Sequence, residues 1–192
     1  MIKLLTDRLV LRDHIIEDLE THHELLSNSI VMRYLQDIKT DNVEESKQNL
    51  QNVIDDSLSN DRKLYFFRIE NKVTNEFIGE IGYTVIKNTT YGKLVHMGYF
   101  IMEKYWNKGI VTEALKRIIE YAFDENNVYR IHTGCFKENI GLGSERVMQK
   151  CGFTKEAEFK EYKLHEGKLK DRVEYRLLKN EWKNNGVRSP IA

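Results

Sequence analysis

Asn107-Lys108-Gly109 stands directly ahead of a helical pattern beginning at Ile110, and it is a place in the chain where an anion could be held. A helix start leaves its first N–H groups unpaired and carries about half a positive charge. A loop that curls before such a start turns several N–H groups toward one point. Gly109 permits the curl and a close approach by phosphate, while Lys108 adds a mobile positive charge. Glu113 suits the helix dipole, yet it repels a phosphate unless its side chain points away. A plainer reading is also open: Gly109 as a turn residue, Lys108 as a solvated cation, Thr112 as a helix starter. The stretch does not fit the P-loop pattern, which needs a second upstream glycine and Lys-Ser/Thr after the last.

Other side chains could move protons. His96 titrates near neutrality and could serve as a base, or it is a surface strand histidine. Glu80, within Ile78-Gly79-Glu80-Ile81-Gly82, either faces an acceptor groove or is a solvated carboxylate. Ser144 opens a short helix, a position that most serines hold as caps. Cys135 has no predicted basic neighbour or helix start to lower its pKa, so a buried, inert thiol is expected. His22-His23 and His132 lack metal-ligand spacing, and the two cysteines form neither a disulfide framework nor a cluster; no metal is expected.

The elements that must position these residues follow from periodicity. Leu9–Leu11 reads as a first strand, and Ile15–Leu26 as a helix with imperfect spacing. Asp41 or Asn42, followed three residues on by Glu44 or Glu45, opens a second helix whose buried stripe would be Val43, Leu50, Val53 and Ile54. Strand-like runs at Leu64–Glu70, Phe77–Lys87 and Leu94–Met102 are separated by turns holding Asn71, Asn75, Asn88 and Gly92. The next helix has Ala114, Leu115, Ile118, Ile119, Ala122 and Phe123 on one stripe. Arg130–Phe136 is a strand, and Ser144–Cys151 a short helix closed by Gly152. Strands at Glu156–Leu164 and Val173–Leu178 flank the turn His165-Glu166-Gly167-Lys168. The order predicts a mixed α+β domain with one sheet over 1–183, and a tail, 184–192, carrying the only proline.

Bulk numbers agree. The chain has 192 residues, 41% hydrophobic and 31% charged, enough for one core under a polar surface. Lys+Arg and Asp+Glu both number 30, so no global field favours nucleic acid or an anionic membrane. No apolar run approaches the roughly 20 residues of a membrane span, and the N-terminus lacks a signal peptide's apolar middle. A cytoplasmic location is the default expectation.

Set in order, TDRLVLRDH, VMRYL, EFIGEIGY, MGYFI, YWNKGIVTEAL, RIHTGCFKENI, SERVMQKCGF and YRLLKNEW run almost the whole length of the chain. This series resembles the GNAT acetyltransferase superfamily, and within it the branch of ribosomal-protein N-terminal acetyltransferases. The resemblance implies a single domain with a mixed, mostly antiparallel sheet, flanking helices and two central strands splayed apart. It implies acetyl-CoA as co-substrate, its pyrophosphate held by the amides of Asn107, Lys108, Gly109, Ile110, Val111 and Thr112. Trp106 and Val111 depart from the usual Gln/Arg-x-x-Gly-x-Gly/Ala loop, but main-chain amides would do the binding. The backbone of Met97–Met102, including Phe100, Ile101 and Met102, would pair with the pantetheine arm, and Asn139 would hydrogen-bond the cofactor. His96 stands where relatives often have a glutamate facing the slot, and Ser144 matches a serine that protonates the CoA sulfur. Relatives usually have Asn-x-x-Ser here, whereas Asn139 to Ser144 is two residues longer.

The implied reaction is direct transfer to a primary amine. A protein α-amine, with a pKa of about 7.7–8.0, is partly neutral at pH 7 and needs only a weak base. The acceptor implied is a ribosomal protein N-terminus. A small amine of the aminoglycoside or polyamine kind is an alternative, as is a non-catalytic acyl-CoA sensor. Neither nucleic acid nor membrane is an expected partner; the family tendency implies a homodimer.

Overall fold

Alternation begins earlier in the chain than its pattern advertised. In a computed structural model that describes residues 1–137 and 143–184, Lys3–Leu5 forms a strand, β1, ahead of the expected one at Leu9–Arg12, β2. The two run antiparallel with Leu4 opposite Leu11. Three residues are too few for a readable alternation, but pairing with β2 buries Leu4.

Strands β3 (Leu64–Asn71), β4 (Phe77–Thr89), β5 (Gly92–Ile101), β6 (Val128–Phe136), β7 (Thr154–His165) and β8 (Lys168–Leu178) follow. Hydrogen bonding orders them β1-β2-β3-β4-β5-β6-β8-β7, a mixed, mostly antiparallel sheet. The described residues group into two units: 1–85 with 97–118, and 86–96 with 119–137 and 143–184.

In the first unit, a 3₁₀ turn at Ile16–Asp18 leads into α1 (Leu19–Ser27). The expected helix at Ile15–Leu26 therefore starts tightly wound, because the Asp18 carboxylate accepts from the Ile15 N–H at 3.0 Å. The helix α2 (Val43–Ser57) is capped by Asn42, whose side chain accepts from the Glu45 N–H at 3.0 Å. Leu50 is fully buried, but Val43 is half exposed, contrary to the expected stripe. Ser46, four residues before Leu50, takes the inward place and bonds Thr40 and His23 at 2.6 and 2.8 Å. The β4 strand lies so close to its neighbours that a Cβ on Gly79 would meet the Phe100 carbonyl at 2.4 Å, and one on Gly82 the Tyr65 carbonyl at 2.1 Å.

The helix α3 (Ile110–Glu120) buries Ala114, Leu115 and Ile118 in this unit as its stripe predicted. In the second unit, Ile119, Ala122 and Phe123 are buried too, the last two in a single π-helical turn, Tyr121–Glu125. There, β5 pairs parallel with β6 from Lys93 to His96, and the recorded ladder ends with His96 opposite His132. Parallel neighbours need a long crossover, and α3 supplies it. The β6 strand pairs antiparallel with β8, and β7 and β8 form a hairpin turning at Glu166-Gly167. The short α4 (Ser144–Lys150) closes as expected: Gly152 takes a left-handed φ of 84°, and the Phe153 N–H returns to the Met148 carbonyl at 3.0 Å. The last helix, α5 (Lys179–Asn184), places Trp182 against Phe123. The expected tail at 184–192 lies outside the described residues from 185 on. Among the described residues, no helix is long and apolar enough to cross a membrane.

Candidate active site

The loop ahead of α3 is built by hydrogen bonds that end β5 abruptly. The Met102 N–H donates to Ile78, and a 3₁₀ turn at Glu103–Tyr105 follows. The Trp106 indole N–H donates to the Ile101 carbonyl at 2.9 Å, pinning the chain where it leaves the strand. Asn107 then takes φ 59° and Gly109 φ 74°, two left-handed residues bracketing Lys108. Asn and Gly are the residues that occupy this region at least cost. The Glu113 N–H bonds the Gly109 carbonyl at 3.1 Å, so α3 begins directly at Ile110. Asn107, Lys108 and Gly109 are all exposed.

The Glu113 side chain, whose direction the sequence left open, points away. Its carboxylate accepts from the Thr6 hydroxyl at 2.6 Å, the Arg8 N–H at 2.9 Å and the Arg8 guanidinium at 2.7 Å. Burial works to raise this carboxyl, but Thr6 and Arg8 bring it below the usual range. Arg8 also donates to the Lys108 carbonyl at 3.3 Å, so a second cation stands at the loop. Sequence reasoning missed Arg8; the signal was present in Thr6-Asp7-Arg8, but only the fold brings it to a loop 100 residues away. Phe100 and Ile101 at the end of β5, and Met102 just after it, have buried side chains, and the Ile101 carbonyl and Met102 N–H are already bonded to Trp106 and Ile78.

Glu80 is neither solvated nor open to a groove. It is 3% exposed, and its carboxylate accepts from His22 of α1 at 2.6 Å. The other oxygen lies 3.7 Å from the Nε2 of His14. Burial alone would raise Glu80, but the two imidazoles outweigh it and lower its pKa; burial would lower His22, but Glu80 raises it. The pair is thus an imidazolium facing a carboxylate. Around it, Arg12 bridges Asp18 and Glu70, and Arg68 bonds Glu70. Asp18 is held well below the carboxylate range: burial opposes, while His14, Arg12 and the Ile15 N–H outweigh it. His22 and Glu80 are 58 residues apart, so no spacing rule could have paired them.

In the second unit, His96 and His132 sit side by side with ring centroids 5.0 Å apart. His96 is half-buried, not a surface histidine; burial first, then His132 and Arg172, lowers its pKa and keeps it neutral near pH 7. Ser144 is the first residue of α4, and Gly143 holds the cap position with φ 101°, so the expected capping role falls to another residue. Cys135 is buried, its thiol pushed up to about 11 chiefly by burial, as an inert cysteine requires. Asn139 lies outside the described residues.

Known proteins resemble this chain in sequence and in fold. The acetyltransferase (GNAT) domain family matches residues 8–154. An uncharacterized N-acetyltransferase p20 of Bacillus licheniformis is 30% identical over 179 residues, covering 93% of this chain and 97% of its own. The ribosomal protein uS5-alanine N-acetyltransferase of Escherichia coli is 26% identical over 118 residues, 62% of this chain and 59% of its own. The spermidine N-acetyltransferase of Vibrio cholerae, solved with CoA and spermine, superposes with a TM-score of 0.80 at 21% identity, covering 93% of this chain and 100% of its own. The strand order, the helix that crosses from β5 to β6 and the sequence match agree: the chain belongs to the GNAT family of N-acetyltransferases.

Proposed function

We propose that this acetyltransferase carries the acetyl group of acetyl-CoA directly to the α-amine at a protein N-terminus, with a ribosomal protein as acceptor. The observation that carries the cofactor half is the exposed, doubly left-handed loop at Asn107–Gly109, with Glu113 turned onto Arg8. In this reading the amides of residues 107–112 hold the diphosphate, and Lys108 and Arg8 supply the counter-charge. Main-chain groups of Phe100, Ile101 and Met102, other than the Ile101 carbonyl and the Met102 N–H already bonded to Trp106 and Ile78, pair with the pantetheine arm. Asn139 is the further cofactor contact.

The amine nitrogen attacks the thioester carbonyl carbon, the C–S bond breaks, and the thiolate leaves. His96, neutral at pH 7, takes the proton lost by the amine, directly or through water. Ser144 passes a proton to the sulfur and takes one back from solvent. Glu80, buried against His22, acts on the acceptor side by fixing α1 rather than by touching substrate. The acceptor half rests on the uS5-alanine relative and on the weak base that an α-amine requires. A ribosomal acceptor also places the reaction in the cytoplasm.

Release of free CoA thiol, followed with N-terminal peptides beginning with Ala or Ser, polyamines and aminoglycosides, tests the proposal. Turnover with the peptides is expected. Turnover confined to polyamines or aminoglycosides overturns the acceptor, and cofactor binding without release from any acceptor points to a sensor.

A further inference from the structure

His14, His22 and Glu80 present one ligand atom each, all within 4.8 Å of one another, and all three side chains are buried. Ligands bound at about 2.0–2.2 Å to one tetrahedral ion stand roughly 3.5 Å apart. The 3.7 Å from His14 Nε2 to Glu80 already matches. The 2.6 Å from His22 to Glu80 is set by a shared proton and opens if an ion replaces it.

Three further observations point the same way. Both ring nitrogens of His14 are buried without a hydrogen-bond partner, a costly state that a ligand at Nε2 would relieve. Each histidine also has an acceptor behind it: Asp18 lies 3.6 Å from His14 Nδ1, and Asn49 Oδ1 lies 3.2 Å from His22 Nε2. That is the arrangement by which metal-bound imidazoles are oriented. Finally, two buried carboxylates, Asp18 and Glu80, and the partly buried Glu70 face only two guanidiniums, Arg12 and Arg68. In the metal-free protein the proton between His22 and Glu80 supplies the further positive charge, and a cation would supply it in that proton's place.

We propose that His14, His22 and Glu80 form a site for a divalent transition ion of the zinc class, which ties α1 to β4. The donor set, two imidazoles and a carboxylate, suits zinc or cobalt over calcium or magnesium. The fourth position belongs to water, and a groove of about 470 Å³ lined by His14, Asp13, Ile15 and Glu17 lies on one side of His14. Binding displaces the proton between His22 and Glu80 to solvent. The site is separate from the loop at Asn107–Gly109, and its existence does not depend on which amine is acetylated.

Chelator-treated full-length protein titrated with Co²⁺ tests this, read by the visible d–d band of tetrahedral cobalt. A saturable band at one ion per chain is expected, with affinity falling at least about tenfold in His14→Gln and His22→Gln, and about tenfold in Asp18→Asn. Because these variants could lose fold, imidazole ¹H–¹⁵N signals of the unaltered protein on adding Zn²⁺ give a second readout. Shifts at His14 and His22 support the site. Absence of the band, unchanged affinity in folded variants, or shifts confined to His96 and His132 overturn it.

Discussion

Replacing Gly109 by Asp and by Asn separates charge from shape at the loop. Asp and Asn are nearly isosteric, and both tolerate a left-handed backbone better than other side chains do, so the φ of 74° burdens them alike. A Cβ here meets only the Arg8 guanidinium, at 3.8 Å, so neither side chain is excluded by space. A carboxylate about 5 Å from one phosphate charge, at an effective dielectric of about 20, is repelled by about 3 kcal/mol. Arg8, 53% exposed beside the loop, screens part of that repulsion in the bound state, by at most about 1 kcal/mol. The remaining penalty of about 2 kcal/mol corresponds to about thirtyfold in affinity. Backbone strain is present with or without ligand, so it appears in Tm and not in this ratio. Calorimetric titration with acetyl-CoA should therefore show Gly109→Asp binding about thirtyfold more weakly than Gly109→Asn. The gap should shrink near 1 M salt, where the screening length is about 3 Å. If the two variants bind within threefold of each other, the diphosphate does not sit at Gly109.

Three other outcomes follow from the geometry. His96→Gln should abolish the acidic limb of the pH–rate profile, a limb placed below 6.5 because burial lowers this imidazole; an unchanged profile removes His96 as base. Ser144→Ala should slow turnover without weakening acetyl-CoA binding, and full activity would leave the serine with no part in the chemistry. In metal-free protein, the His22–Glu80 pair should stabilise most between about pH 4.5 and 6.5. His22 has a raised pKa, so its contribution is complete below 6.5 and is lost as pH climbs through the folded value; Glu80, lowered, contributes fully above 4.5 and fails as pH falls. Arg68 and His14 also face Glu80, and Asp18 faces His22, so the Tm difference between the protein and a His22→Gln/Glu80→Gln variant is the measurement; a pH-independent difference refutes the ion pair.

Local sequence signals were enough to place α3, a helix start at Asp41 or Asn42, the Gly152 closure and the strands from β3 to β7, because each depends on neighbours a few residues away; the last strand, expected at Val173–Leu178, begins earlier, at Lys168, where pairing with β7 extends it. The exposed loop at Asn107–Gly109 was legible for the same reason: glycine and asparagine are chosen for one backbone conformation. What failed at this range was any property set by a distant partner. Val43 was assigned inward until Ser46, bonded to Thr40 and His23, took its place. The direction of Glu113 depended on Thr6 and Arg8, and the burial of Glu80 depended on His14 and His22. A charge near a helix start can be read from the chain, but whether it repels a phosphate or is neutralised depends on Coulomb terms a few ångströms long. Those distances exist only after residues 8 and 113, or 22 and 80, have been packed against each other.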